Sequence, residues 1–94
     1  MRKGDILLST KHLNKYRDIG KKIAYYRNLR GMSQEELAEK IDMSTSYISK
    51  IEAPNSAMTF SLEVLFEISL ALNIDIALLF RPLEFTDISK RIES

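Results

Sequence analysis

The sequence contains no cysteine, no tryptophan and a single histidine. Without cysteine there is no disulfide scaffold, no thiolate zinc site and no cysteine nucleophile. His12 alone cannot supply a histidine-rich metal site or an ordinary histidine-based triad, and it reads as a surface residue. Proline and glycine are scarce, at two and three residues, and Pro54, Pro82 and Gly31 stand where helical patterns stop. No apolar run approaches the roughly 20 residues of a membrane span. The opening MRKGDILLST is basic and then briefly apolar, but ILL is too short for a signal-peptide core. The expected compartment is the cytoplasm. An excess of one charge is also missing: 14 basic against 13 acidic side chains leave a net charge of +1. That total would not single the chain out as a nucleic-acid binder.

What is present is a soluble, single-domain composition, 94 residues long with 45% apolar and 29% charged side chains. The small net charge conceals a gradient. Residues 1–17 balance at +4, residues 18–60 at zero and residues 61–94 at −3. The basic start, Arg2, Lys3, Lys11, Lys15 and Arg17, reads as a solvated terminus rather than a DNA-reaching arm.

Apolar residues recur every three or four positions, and no segment alternates long enough to make a strand; Ile6–Leu8 is the only short candidate. The spacing predicts an all-α fold of five helices. The first runs from a Thr10 cap to about Arg30, with Gly20 as a weak point and Gly31 at the position after the end. Ser33-Gln34-Glu35-Glu36 is a capping box that opens a second helix, ending near Ile41. Ser44 caps a third, from Thr45 to about Ala53, where Pro54 and Asn55 stop it. After a loop over 53–59, Ser61 caps a fourth, whose expected inner face is Leu62, Leu65, Phe66, Ile68, Ala71 and Leu72. Asp75 starts a short fifth through Ile76, Leu79 and Phe80. The expected organisation is a basic, partly helical extension over 1–17, a domain over 18–81 and a tail over 82–94.

Two short helices joined by a three- to four-residue turn describe a helix-turn-helix. In such a unit the second helix presents its N-terminal residues to major-groove base edges, and the first sets its N-terminus near a phosphate. Gln34 and the free amides beside Ser33 are placed to donate to phosphate oxygens. With Ile48 and Ile51 facing the core, Thr45, Ser46, Ser49 and Lys50 turn outward beside Ser44, with Tyr47 at the boundary. Thr45 and Ser46 suit several bases, and the Thr45 methyl suits a thymine methyl. Lys50 suits a guanine edge or a phosphate, and the Tyr47 hydroxyl suits a phosphate. Glu35, Glu36 and Glu39 complement a helix N-terminus rather than forming a catalytic carboxylate set.

At this point the chain resembles the phage-repressor/Cro-like helix-turn-helix domain. The resemblance covers residues 19–80 and is carried by MSQEELAEKI, the turn DMS, STSYISKIE and the fourth-helix pattern SLEVLFEISLAL. It implies a compact five-helix bundle that binds operator DNA, usually as a dimer. It further implies a phosphate-clamping role for Gln34, base- and backbone-reading roles for Thr45, Ser46, Tyr47 and Lys50, and a partly buried ion pair between Arg27 and Glu52. Two features depart from the family pattern. The loop APNSAMT carries no cation, so phosphate contacts there would come from its backbone and from Asn55 or Ser56. Apolar Val64, Leu70 and Leu78 stand where the family often has polar residues.

A small bundle is not expected to expose such residues together. With Leu83 and Phe85 they form the expected face of a two-fold homodimer. The expected function is sequence-specific double-stranded DNA binding by a transcriptional regulator of repressor type, without metal, cofactor or membrane partner. The alternative is an antitoxin or adaptor that uses the same fold to bind another protein. No nucleophile, metal cluster or phosphate loop suggests an enzyme.

Overall fold

The computed structural model describes residues 11–82. Thr10, the candidate strand Ile6–Leu8, Arg2, Lys3, Leu83 and Phe85 lie outside the described residues. Four α-helices follow in order: α1 (Leu13–Leu29), α2 (Gln34–Lys40), α3 (Thr45–Glu52) and α4 (Leu62–Leu72). The expected fifth helix is instead a four-residue 3₁₀ turn, Ile76–Leu79. Asp75 does cap it, its carboxylate accepting the Ala77 N–H at 2.9 Å. Pro82 leaves no room to lengthen it, because the residue before a proline is disfavoured in the helical region.

Local chemistry sets most boundaries. The Ser33 hydroxyl oxygen accepts the Glu36 N–H at 3.0 Å while the Glu36 carboxylate accepts the Ser33 N–H at 3.2 Å, which completes the capping box. Ser44 and Ser61 cap α3 and α4 by accepting the amides of Tyr47 and Val64. The C-terminal ends of α1, α2 and α4 share a device. Gly31, Asp42 and Asn73 take positive φ angles of 67°, 57° and 53°. Each lets the next amide turn back onto the helix: Met32 to Arg27, Met43 to Ala38 and Ile74 to Ser69.

The core gathers Ile23 and Tyr26 from α1, Leu37 and Ala38 from α2, Ile48 and Ile51 from α3, and Leu65, Ile68 and Leu72 from α4. Ile41 and Leu79 close it. Fully burying such a side chain stabilises the fold by about 1.5–3 kcal/mol each. Gly20 turns out to be a crossing point rather than a weak point. A Cβ built there would collide with the Ile51 carbonyl oxygen, so the absent side chain is what lets α1 lie against α3. The helix α1 runs unbroken through positions 17 and 18, where the extension was expected to meet the domain.

Candidate nucleic-acid interface

The turn over 41–44 sets α3 across α2, and the two helices bury Leu37, Ala38, Ile48 and Ile51 between themselves and the rest of the bundle. The opposite face of α3 is then fixed by helical geometry. Ser44, Thr45, Ser46, Ser49 and Lys50 are exposed there, and Tyr47 is half-buried against the core. Burial pushes the Tyr47 hydroxyl above the ordinary tyrosine range, so it remains a proton donor at neutral pH. The hydroxyl oxygens of Ser33 and Ser44 are occupied as caps, but each keeps its own hydrogen to donate.

The C-terminal end of α3 has the opposite character. The Glu52 carboxylate takes a two-pronged contact from Arg27, with Nε and Nη2 each at 2.8 Å. Both side chains are largely buried, at 11% and 6% exposed. Arg27 Nη1 donates to the Met32 carbonyl at 2.7 Å, so the same guanidinium also holds the turn that leads into α2. The hydrogen bonds that Arg27 donates to Glu52 raise the Arg27 pKa, burial lowers it, and the negative charge of Glu52 raises it further. The structure thus brings Arg27 and Glu52 together as an ion pair.

Gln34 joins this network. Its Nε2 donates to Glu52 Oε1 at 2.9 Å, leaving one amide hydrogen and the side-chain carbonyl for another partner. The sequence placed Gln34 at the helix start but gave no sign of this bond, which spans 18 residues. It fixes the amide rotamer before any ligand arrives.

Beyond α3, Lys50, Ala53, Asn55, Ser56, Ala57 and Met58 line a shallow depression of about 430 Å³. Asn55 is exposed and Ser56 half-buried. The Ser56 hydroxyl oxygen accepts the Met58 N–H at 3.0 Å. Arg17 from α1 donates Nε to the Ser56 carbonyl at 2.7 Å, and Tyr16 sets its ring edge-on to Phe60 with centroids 5.0 Å apart. Arg17 was read as part of a solvated terminus; its partner lies 39 positions away, beyond any local pattern.

The apolar surface also differs from expectation. Leu62 and Phe66 leave the expected inner face of α4 and lie 53% and 45% exposed; Leu70 is 75% exposed. The buried stripe is Leu65, Ile68, Ser69 and Leu72, which turns Leu62, Phe66 and Leu70 onto one flank at four-residue spacing. Val64 and Leu78 are half-buried and pack against the core. No described helix is long and apolar enough to cross a membrane. Among the described residues no cluster of histidine and carboxylate side chains could hold a metal ion.

Comparison with known proteins agrees with this geometry. A helix-turn-helix family profile matches residues 23–79. The chain is 33% identical over 76 residues to the HTH-type transcriptional regulator SinR of Bacillus licheniformis, covering 81% of this chain and 68% of that protein. A crystal structure of the hypothetical transcription factor NHTF from Neisseria superposes with a TM-score of 0.66 at 22% identity, over 83% of this chain and 82% of that one. That likeness speaks for the fold. The chain belongs to the phage-repressor/Cro-like helix-turn-helix family of DNA-binding regulators and is not an enzyme.

Proposed function

We propose that the chain is a sequence-specific double-stranded DNA-binding transcriptional regulator that acts as a homodimeric repressor, with α3 in the major groove. The observation that carries this reading is the asymmetry of α3. Its exposed face carries small hydroxyls from the N-terminus onward and Lys50 in the last turn, while Glu52 at its C-terminal end is tied to α1 and α2. A groove reader needs that combination. Short side chains allow close approach to base edges, and a fixed anchor keeps their register.

The roles divide by chemistry. Gln34, with the amides beside Ser33, grips a phosphate at the α2 N-terminus. Thr45, Ser46, Ser49 and Lys50 read bases, with the hydroxyls of Ser44 and Tyr47 at the groove edge. Asn55 and Ser56 meet the flanking backbone. The homodimer is supported by the exposed flank Leu62, Phe66 and Leu70, with Leu83 and Phe85 following in the chain; Val64 and Leu78 are half-buried and join only with their exposed parts. Two recognition helices would then read half-sites about 34 Å apart, one turn of duplex. Repression follows from occupancy of such a site.

Selection of bound sequences from a random duplex pool tests the reading. The expected product is a two-fold symmetric site with half-sites about 10–10.5 bp apart. On that site Gln34→Ala weakens binding to all sequences alike. Ser46→Ala and Lys50→Ala instead change preference at defined base pairs by about 1–3 kcal/mol. A pool that never enriches, or three variants with equal losses on selected and random duplex, overturns base reading.

A further inference from the structure

We propose that the loop joining α3 to α4 is a phosphate-gripping site whose cation is Arg17, supplied by the N-terminal part of α1 instead of by the loop itself. The inference rests on the DNA-binding reading above and concerns the backbone phosphate that flanks each half-site.

The loop segment APNSAMT has no charged residue, so it has no means of its own to hold an anion electrostatically. Its backbone nevertheless offers donors. The Ser56 N–H is taken by the Ala53 carbonyl and the Met58 N–H by the Ser56 hydroxyl. Among the described residues the amides of Asn55 and Ala57 have no partner, and both residues are exposed. These two donors flank the paired Ser56 amide, and free backbone N–H groups are among the donors that contact phosphate oxygens.

Arg17 adds the missing charge at this place. Its Nε is fixed on the Ser56 carbonyl at 2.7 Å, and Nη1 reaches Asn14 Oδ1 only at 3.4 Å. Among the described residues no carboxylate pairs with it and Nη2 has no acceptor. A guanidinium held against a carbonyl keeps its full charge, so the loop gains a positive centre without a basic residue in its own sequence. The edge-on contact of Tyr16 with Phe60 braces the far end of the loop from the same helical turn. Lys50, Asn55 and Ser56 line one depression, which makes the loop continuous with the reading face of α3. Arg17 lies in the part of α1 that precedes the stretch matched by the family profile.

The test measures binding of the full chain to its selected duplex, and to a scrambled duplex, across 50–300 mM KCl. The logarithm of the binding constant falls with the logarithm of salt by about 0.9 for each phosphate neutralised. Arg17→Gln is expected to flatten that dependence by about one per subunit and to weaken both duplexes alike. Arg17→Lys, which keeps the charge, is expected to keep the wild-type slope. Thermal melts of each variant verify the fold. If Arg17→Gln loses affinity at an unchanged slope, Arg17 is only a brace and the proposal fails. An unchanged affinity and slope also overturn it. Failure of the wild-type chain to bind any selected duplex would instead overturn the DNA-binding reading, and this site with it.

Discussion

The helices α3 and α4 start alike and end in opposite surfaces. Each is capped by a serine whose hydroxyl accepts the amide three residues on, and each buries a stripe at helical spacing. Outside that stripe, α3 shows Thr45, Ser46, Ser49 and Lys50, while α4 shows Leu62, Phe66 and Leu70. The common part makes a helix and a core. The differing part is free of that duty, and it is the part proposed here to meet DNA on α3 and a second apolar surface on α4. The total charge of only +1 likewise averages a basic start and an acidic C-terminal third.

The contrast can be broken most severely at the anchor of α3. Glu52→Ala would strand the Arg27 guanidinium in a largely buried site, and such losses cost about 3–5 kcal/mol. Chemical denaturation should show that loss, and DNA affinity should fall more than it does for Gln34→Ala, because the register of α3 depends on the pair. Gly20→Ala comes next. The new methyl meets backbone at Ile51, which cannot rotate away, and overpacking of this kind costs about 1–3 kcal/mol or more. A lower melting temperature with an unchanged helical circular-dichroism spectrum in the cold is the expected result.

Smaller effects sharpen the contrast. Phe66→Glu combined with Leu70→Lys should leave the stability of the subunit within about 0.5 kcal/mol, as for exposed positions generally. Sedimentation should then show monomers where the wild type is dimeric, with DNA affinity reduced and base preference kept. A wild-type chain that sediments as a monomer at every accessible concentration would remove the dimer from the account. The smallest effect concerns Tyr47. Burial raises its folded pKa, so the unfolded chain ionises first as pH climbs past the ordinary value of about 10. Stability relative to Tyr47→Phe is therefore constant below about pH 10 and lost as pH rises through the folded pKa. Parallel denaturation series from pH 7 to 11 should diverge only at the alkaline end.

Much of this was legible in the sequence where three or four neighbouring residues decide the outcome. The Ser33–Glu36 box, the Ser44 and Ser61 caps and the Gly31 stop are such cases. At Ile76–Leu79 a cap and a following proline frame too few residues to complete the α-helix that the pattern predicts, and a 3₁₀ turn forms instead. Leu62 and Phe66 depart from the predicted inner face because apolar character does not say which flank of an apolar helix is covered. Gly20, Arg17 and the second bond of Gln34 were invisible for a different reason. Each acts through a partner far along the chain, and composition carries no information about which distant carbonyl or carboxylate will arrive there.

One feature of α1 ties these surfaces together. Arg17 holds the loop, Arg27 holds the foot of α3, and Arg30 donates to the carbonyls of Leu72 and Asn73 at the end of α4, both at 2.9 Å. A single rod therefore clamps the outward-facing elements through three side chains. In a dimer joined on α4, the distance between reading heads would be set by stiff parts with little slack. Such a dimer would work as a gauge of length. One base pair inserted between half-sites turns the second by about 34–36° about the duplex axis. A subunit pinned in this way would follow that turn only by straining the three clamps.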